Sequence, residues 1–223
     1  MEPDLGALYA AARIRITEMV AGADPDTVVA ATPEWTVHDV VGHLRGIVED
    51  ALTGNLDGVA TDPWTAAQVV RAREKSIDRL LDEWTAEAPM FEGFLSSPAG
   101  TNSARAIVDI HTHEADLRGA LGLPAEIPAT YGAFMFAMMA SGIAARAEEQ
   151  SLPALRIMSP EGDAVGPADA AVVLRIDRHE LHRAALGRRC PEQMAAYDWS
   201  VDDPAPYVAL LPAFGPRPDV LID

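Results

Sequence analysis

Thr36-Val-His-Asp-Val-Val-Gly-His-Leu44 and Asp109-Ile-His-Thr-His-Glu-Ala-Asp116 are the two stretches on which the reading of this chain turns. The first opens as a helix. Thr36 is a good N-cap, and Asp39 three residues on completes a capping-box arrangement, with Asp in the usual place of Glu. The pattern continues through Val-Val-Gly-His-Leu-Arg-Gly-Ile-Val-Glu-Asp-Ala-Leu and stops near Gly54. His43 falls in the apolar part of this helix, between Val40-Val41 and Leu44. In the second stretch Asp109 and His113 stand four apart, so on a helix their side chains leave one face, and Asp116 lies near it. His111 sits two residues from each and points away. The His-Thr-His pair is therefore a poor chelate on a helix, whereas Asp109 with His113 is a good one.

A facing helix carrying His43 would add a second imidazole. Two imidazoles and one carboxylate form the ligand set of catalytic zinc sites, whose fourth position stays open to water or substrate. Asp116 would then hold the second ring nitrogen of a ligating imidazole, or face nothing but solvent. A plainer reading stands beside this one: His43 as a hydrogen-bonded core histidine, and Asp109 with His113 as an ordinary pair on a helix face. Spacing alone leaves both open.

Working outward, apolar residues recur at helical spacing up to about Gln150. A first helix is expected over Asp4–Val20, with Leu5, Leu8, Ala12, Ile16 and Met19 inward. A third opens at Asp62-Pro63, where proline fits the first turn, and should run to about Ala86. A fourth starts after Asn102 or Ser103 and closes at Gly122 before Pro124. A fifth covers Thr130–Glu149, its face built from Phe134, Met138 and Ile143. Four of these pair most simply as an antiparallel bundle, with the extra one flanking. Near Ser151 the pattern changes to strand-like runs at Leu155–Met158 and Ala171–Ile176, separated by a turn at Glu161-Gly162-Asp163. Short helices follow at His179–Leu186 and Pro191–Trp199, and the proline-rich end reads as an extended strap. The expected architecture is mainly α: a helical bundle over residues 1–150 and a small α+β domain over 151–223, with the boundary at Glu149–Pro153.

Composition bounds the function. The 223 residues are 49% apolar and 23% charged, enough for a substantial core. Seventeen Lys and Arg face 34 Asp and Glu, a formal charge of −17. With no basic stripe to reverse that field, nucleic-acid and anionic-membrane partners are not expected. No run approaches the roughly 20 apolar residues of a membrane span. The first residues are acidic before any apolar stretch and carry no secretory signal, so the expected compartment is the cytosol. Cys190 is the one cysteine; Arg188 and Arg189 beside it favour a thiolate, but no histidine can be assigned to it as partner. Neither a glycine-rich nucleotide motif nor a nucleophile elbow is present. His38, early in its helix, and His179 with His182 read as surface or face-covering residues.

Thr32-Pro-Glu-Trp-Thr-Val-His-Asp-Val-Val-Gly-His43-Leu resembles the second-helix motif of the mycothiol-dependent maleylpyruvate isomerase family, a branch of the DinB-like superfamily. Asp109-x3-His113-x2-Asp116-Leu-Arg118-x3-Gly122 resembles its later metal helix. Gly187-Arg-Arg-Cys-Pro-Glu-Gln-Met-Ala-Ala-Tyr-Asp-Trp199 resembles the small C-terminal domain of many members, so the similarity covers nearly the whole chain. The resemblance implies a DinB-like four-helix bundle holding a divalent ion, usually zinc, through His43, Asp109 and His113. The family's isomerase pattern has Glu where this chain has Asp109, a carboxylate shorter by one methylene. It further implies a small-molecule substrate and a thiol cofactor, mycothiol, held as thiolate at the metal. Addition of that thiolate to an electron-poor double bond, rotation and departure isomerise a maleyl-type keto acid; another electrophile would end in S-transfer. Arg118 would orient an acidic substrate or the thiol, or serve only as a salt-bridge donor. A non-catalytic metal- or ligand-binding protein, or an interaction module built on the small domain, are the competing classes.

Overall fold

Asp4 starts the first helix by accepting a hydrogen bond from the Ala7 amide, and α1 runs Leu5–Val20. Its buried stripe is Leu5, Tyr9, Ala12, Ile16 and Val20; Leu8 and Met19 are half-buried at its margins. The structure is a computed structural model and describes residues 3–222. Helix α2 (Val37–Thr53) begins with the full capping box of Thr36 and Asp39 and ends on Gly54 in the left-handed conformation, as its sequence foretells. Helix α5 (Ala104–Ala120) carries the Asp109–Asp116 segment, and Gly122 follows at φ +65°.

The expected single helix from Asp62 to about Ala86 is in fact two. Helix α3 (Asp62–Ala72) stops at a turn, and α4 (Ile77–Leu95) restarts with Ser76 capping the Arg79 amide. The turn is pinned from α2. Asp39 accepts two hydrogen bonds from Arg73 at 2.9 Å each, and His38 Nε2 donates to the Lys75 carbonyl at 2.8 Å. His38 thus has a structural partner rather than a solvent role. Helix α4 also continues through Pro89. An interior proline costs about 3 kcal/mol. Burial of Leu80, Trp84, Phe91 and Leu95, at about 1.5–3 kcal/mol for each large side chain, outweighs it.

The chain divides into two compact units at Pro124/Ala125, earlier than the change of periodicity at Glu149–Pro153. In the first unit α1 packs on α4 and α5, and α2 packs on α4 and α5, giving the four-helix bundle; α3 flanks it against α2. Leu44, Leu80, Trp84, Ile107 and Ile110 fill its centre. A mainly helical bundle with a small β-containing C-terminal unit is the architecture expected from the sequence.

The second unit begins with α6 (Ala129–Glu149), which packs on strands of this unit and on α7 (Arg178–Ala185), not in the bundle. Helical spacing says that a face will be buried, but not by what. That face is Met135, Phe136, Ala140, Ile143 and Ala147, whereas Met138 is exposed. Strands β1 (Leu155–Met158), β2 (Ala164–Val165), β3 (Val172–Arg175) and β4 (Asp198–Trp199) form one sheet in the order β2-β1-β3-β4. Strands β1 and β3 are parallel and the outer pairs antiparallel. Leu155, Ile157, Val172 and Leu174 alternate inward, as period-two strands should. Helix α8 (Pro191–Ala195) is shorter than expected because the chain turns into β4, and the closing segment contains a further turn of helix, α9 (Ala205–Val208).

Candidate metal centre

Helices α2 and α5 bring His43, Asp109 and His113 together. One ligand atom from each lies within 4.8 Å of the other two, and among the described residues no other such group of three exists. His43 Nε2 stands 3.4 Å from Asp109 Oδ2, and His113 Nε2 stands 3.8 Å from Asp109 Oδ1. The two imidazoles face each other edge to face, 5.1 Å between centroids. Both histidines are buried, while the Asp109 side chain is 31% exposed. The cluster therefore opens toward solvent on the carboxylate side.

The other nitrogen of each ring is engaged by the bundle. His113 Nδ1 lies 3.1 Å from Asp116 Oδ2, whose side chain is fully buried. His43 Nδ1 is 2.8 Å from Gln68 Oε1. Amide and carboxylate oxygens only accept, and Gln68 Nε2 donates to Asp50, so in a neutral ring His43 Nδ1 carries the proton and Nε2 turns its lone pair toward Asp109. Nitrogen lone pairs and a carboxylate oxygen facing one another repel unless a proton or a cation lies between them. The 3.4 and 3.8 Å separations from Asp109 compare with the roughly 3.3 Å edge of a tetrahedron with ligands about 2.0–2.1 Å from its centre. By this test the residues fit a divalent cation.

Trp35 completes the surroundings. It sits on the turn before α2, fixed by the Trp35 amide donating to the Thr32 carbonyl and the Val29 amide donating to the Trp35 carbonyl. Its half-buried indole lies 5.2 Å from His43 and 5.7 Å from His113, centroid to centroid. Neither Trp35 nor Gln68 has a place in the spacing argument. For Gln68 the available signal was indirect: Gly42 and Gly46, four apart on α2, mark a close approach by another helix.

The remaining candidates lie elsewhere. His111 donates from Nδ1 to the Ile107 carbonyl at 2.8 Å on another side of α5, and burial pushes its pKa down to about 3. Arg118 is nine residues after Asp109, half a turn away around the helix. There it donates to the Pro124 carbonyl and pairs with Glu114 at 3.7 Å, while Arg15 grips Glu114 at 2.6 and 2.7 Å. Of the two roles open to Arg118, salt-bridge donor is the one these contacts display. Cys190 is buried at the start of α8. His182 accepts or shares a hydrogen bond with the Tyr131 hydroxyl at 3.0 Å inside the second unit.

Residues 8–119 match the mycothiol maleylpyruvate isomerase N-terminal domain family, and the chain belongs to that family. Among solved structures it resembles the crystal structure of the mycothiol-dependent maleylpyruvate isomerase at TM-score 0.56 and 14% identity. That match covers 82% of this chain and 88% of the other. A histidine-to-alanine mutant of that isomerase matches at TM-score 0.54 with the same identity and coverage. No curated protein matches the sequence. At this identity the structural likeness establishes the shared fold. No helix among the described residues is long and apolar enough to cross a membrane.

Proposed function

We propose that the chain is a divalent-metal-dependent, low-molecular-weight-thiol-dependent isomerase or S-transferase of the cytosol, acting on a small electrophilic substrate of the maleyl-type keto acid class. The observation that carries this reading is the convergence of His43, Asp109 and His113 on one centre from two helices. Family membership supports the chemical class, and the proposed metal is zinc and the proposed thiol mycothiol.

A divalent cation held by His43, Asp109 and His113 would supply Lewis acidity, lowering the pKa of a water or thiol bound to it. The chain's own residues do the rest. His43 and His113 would offer Nε2 as neutral donors, their orientation held from behind by Gln68 and Asp116. Asp109 supplies the negative charge and faces solvent, so substrate approaches along its side. Trp35 gives that approach an apolar wall, suited to a planar unsaturated acid and able to exclude water from one flank. Asp109 is one methylene shorter than the Glu of the family's isomerase pattern, so the helices must bring their backbones correspondingly closer to hold the same ion.

The test is thiol-dependent turnover by the zinc-loaded protein on maleyl-type keto acids and other small electrophiles. The expected result is turnover that requires both metal and thiol and that His113→Ala abolishes, together with metal binding, while the helical circular dichroism is kept. Retained turnover in that variant, or turnover without thiol, would overturn the reading. Unfolding of His113→Ala on metal loss would instead mark a structural ion in a non-catalytic protein.

A further inference from the structure

Helix α3 stands outside the four-helix bundle, yet it sends one side chain into the candidate centre. Gln68 is 1% exposed and spans between His43 and Asp50: its Oε1 meets His43 Nδ1 at 2.8 Å and its Nε2 donates to Asp50 Oδ2 at 2.8 Å. Asp50 is itself locked, accepting at Oδ1 from Arg71 at 2.7 Å and from Asn55 at 2.8 Å. We infer that Gln68 is a positioning residue that fixes His43 as the tautomer protonated on Nδ1, with the Nε2 lone pair aimed at Asp109 and His113.

The logic is one of donors and acceptors. The Asp50 carboxylate accepts only, so the Gln68 amide must turn its NH2 toward Asp50 and its oxygen toward His43. Facing an oxygen, His43 Nδ1 must carry the proton. The other tautomer would require the amide to flip, placing Gln68 Oε1 against Asp50 Oδ2 across a 2.8 Å gap with no hydrogen between them. In a site this buried, such an oxygen pair costs more than the tautomer preference of a free imidazole. Arg71, held by Asp50, keeps the end of this chain of bonds charge-balanced.

The backbone of α2 is cut to admit Gln68. A Cβ on Gly46 would come within 2.7 Å of Gln68 Cβ and 2.8 Å of its Cγ, and a Cβ on Gly42 would overlap that of Ala72. Two glycines one helical turn apart thus let α3 lie close enough for a glutamine to reach His43. The consequence for metal binding rests on the proposed function; the tautomer does not.

The experiment has two arms. Long-range 1H–15N correlation spectra of the metal-free protein, at a pH where His43 is neutral, read the tautomer directly. The expected result is a protonated Nδ1 in the wild type and a mixture in Gln68→Met, which keeps the volume and removes the acceptor. Zinc affinity is then measured by chelator competition for the wild type, Gln68→Met and Gly46→Ala. Both variants should bind roughly 10- to 100-fold more weakly. Protonation at Nε2 in the wild type, or an affinity within twofold of wild type in folded Gln68→Met, overturns the inference. A wild type that binds no zinc but shows the protonated Nδ1 upholds the role of Gln68 and removes the metal reading alone.

Discussion

Each unit of the molecule has a cluster in which buried partners surround a partly exposed acidic side chain, and the two are wired differently. In the second unit Glu180 accepts from Arg189 Nε at 2.9 Å, from Arg189 Nη2 at 2.7 Å and from the Tyr197 hydroxyl at 3.0 Å. Burial alone would raise the Glu180 carboxyl, but hydrogen bonds from His179, Arg189 and Tyr197 and the Arg189 charge overcome it and hold it well below the usual range. That cluster is closed: its cation is part of the chain. In the first unit the Asp109 carboxylate faces the Nε2 atoms of two imidazoles, whose opposite nitrogens face oxygens of Gln68 and Asp116. Nothing in the trio supplies the cation. A buried group with complementary charges stabilises a fold, whereas one with converging acceptors is arranged to hold something.

The contrast can be broken most severely at Asp109. Asp109→Asn keeps the shape and removes the charge, so zinc affinity should fall by more than the roughly 100-fold expected for losing a supporting partner, as read by calorimetry. Glu180→Ala should do the opposite. It leaves zinc affinity intact and destabilises the fold by about 3 kcal/mol in urea, because a buried Arg189 loses its carboxylate. The second cluster also predicts a pH dependence. Because the folded pKa of Glu180 lies below its unfolded value of about 4.3, its contribution to stability is complete above that value and is lost as pH falls toward the folded one. Urea unfolding of the wild type and Glu180→Gln should therefore differ at neutral pH and converge in acid. In the metal-free protein Asp109→Asn should be neutral or stabilising by up to about 1 kcal/mol, since it relieves facing acceptors. The smallest effect is expected at Arg118→Ala: about 0.5 kcal/mol and no change in zinc affinity, because Arg15 keeps Glu114 paired.

How much of this was legible in the sequence follows from what each signal encodes. Capping and i,i+4 spacing are local, so Thr36 with Asp39, the span of α5, and Asp109 with His113 on one face could all be read from a few residues. The pairing with His43 needed only that two amphipathic helices face each other. Helix α6 shows the limit. Its periodicity announced a buried face, but the partners, β1, β2 and α7, come later in the chain and no local pattern names them. The break between α3 and α4 escaped for a related reason, since Asp39 and His38 hold that turn from another helix. Gln68 carries no signature of its own, only the indirect one of Gly42 and Gly46 on α2. A glutamine in a helix is ordinary until the glycines opposite it are seen to be making room.

The most direct test of the central claim is anomalous diffraction at the zinc edge from crystals grown with one equivalent of zinc. The account predicts one ion about 2.0–2.2 Å from His43 Nε2, His113 Nε2 and an Asp109 oxygen. A saturating zinc concentration that leaves those three side chains without an ion, or with the ion bound elsewhere, would contradict it.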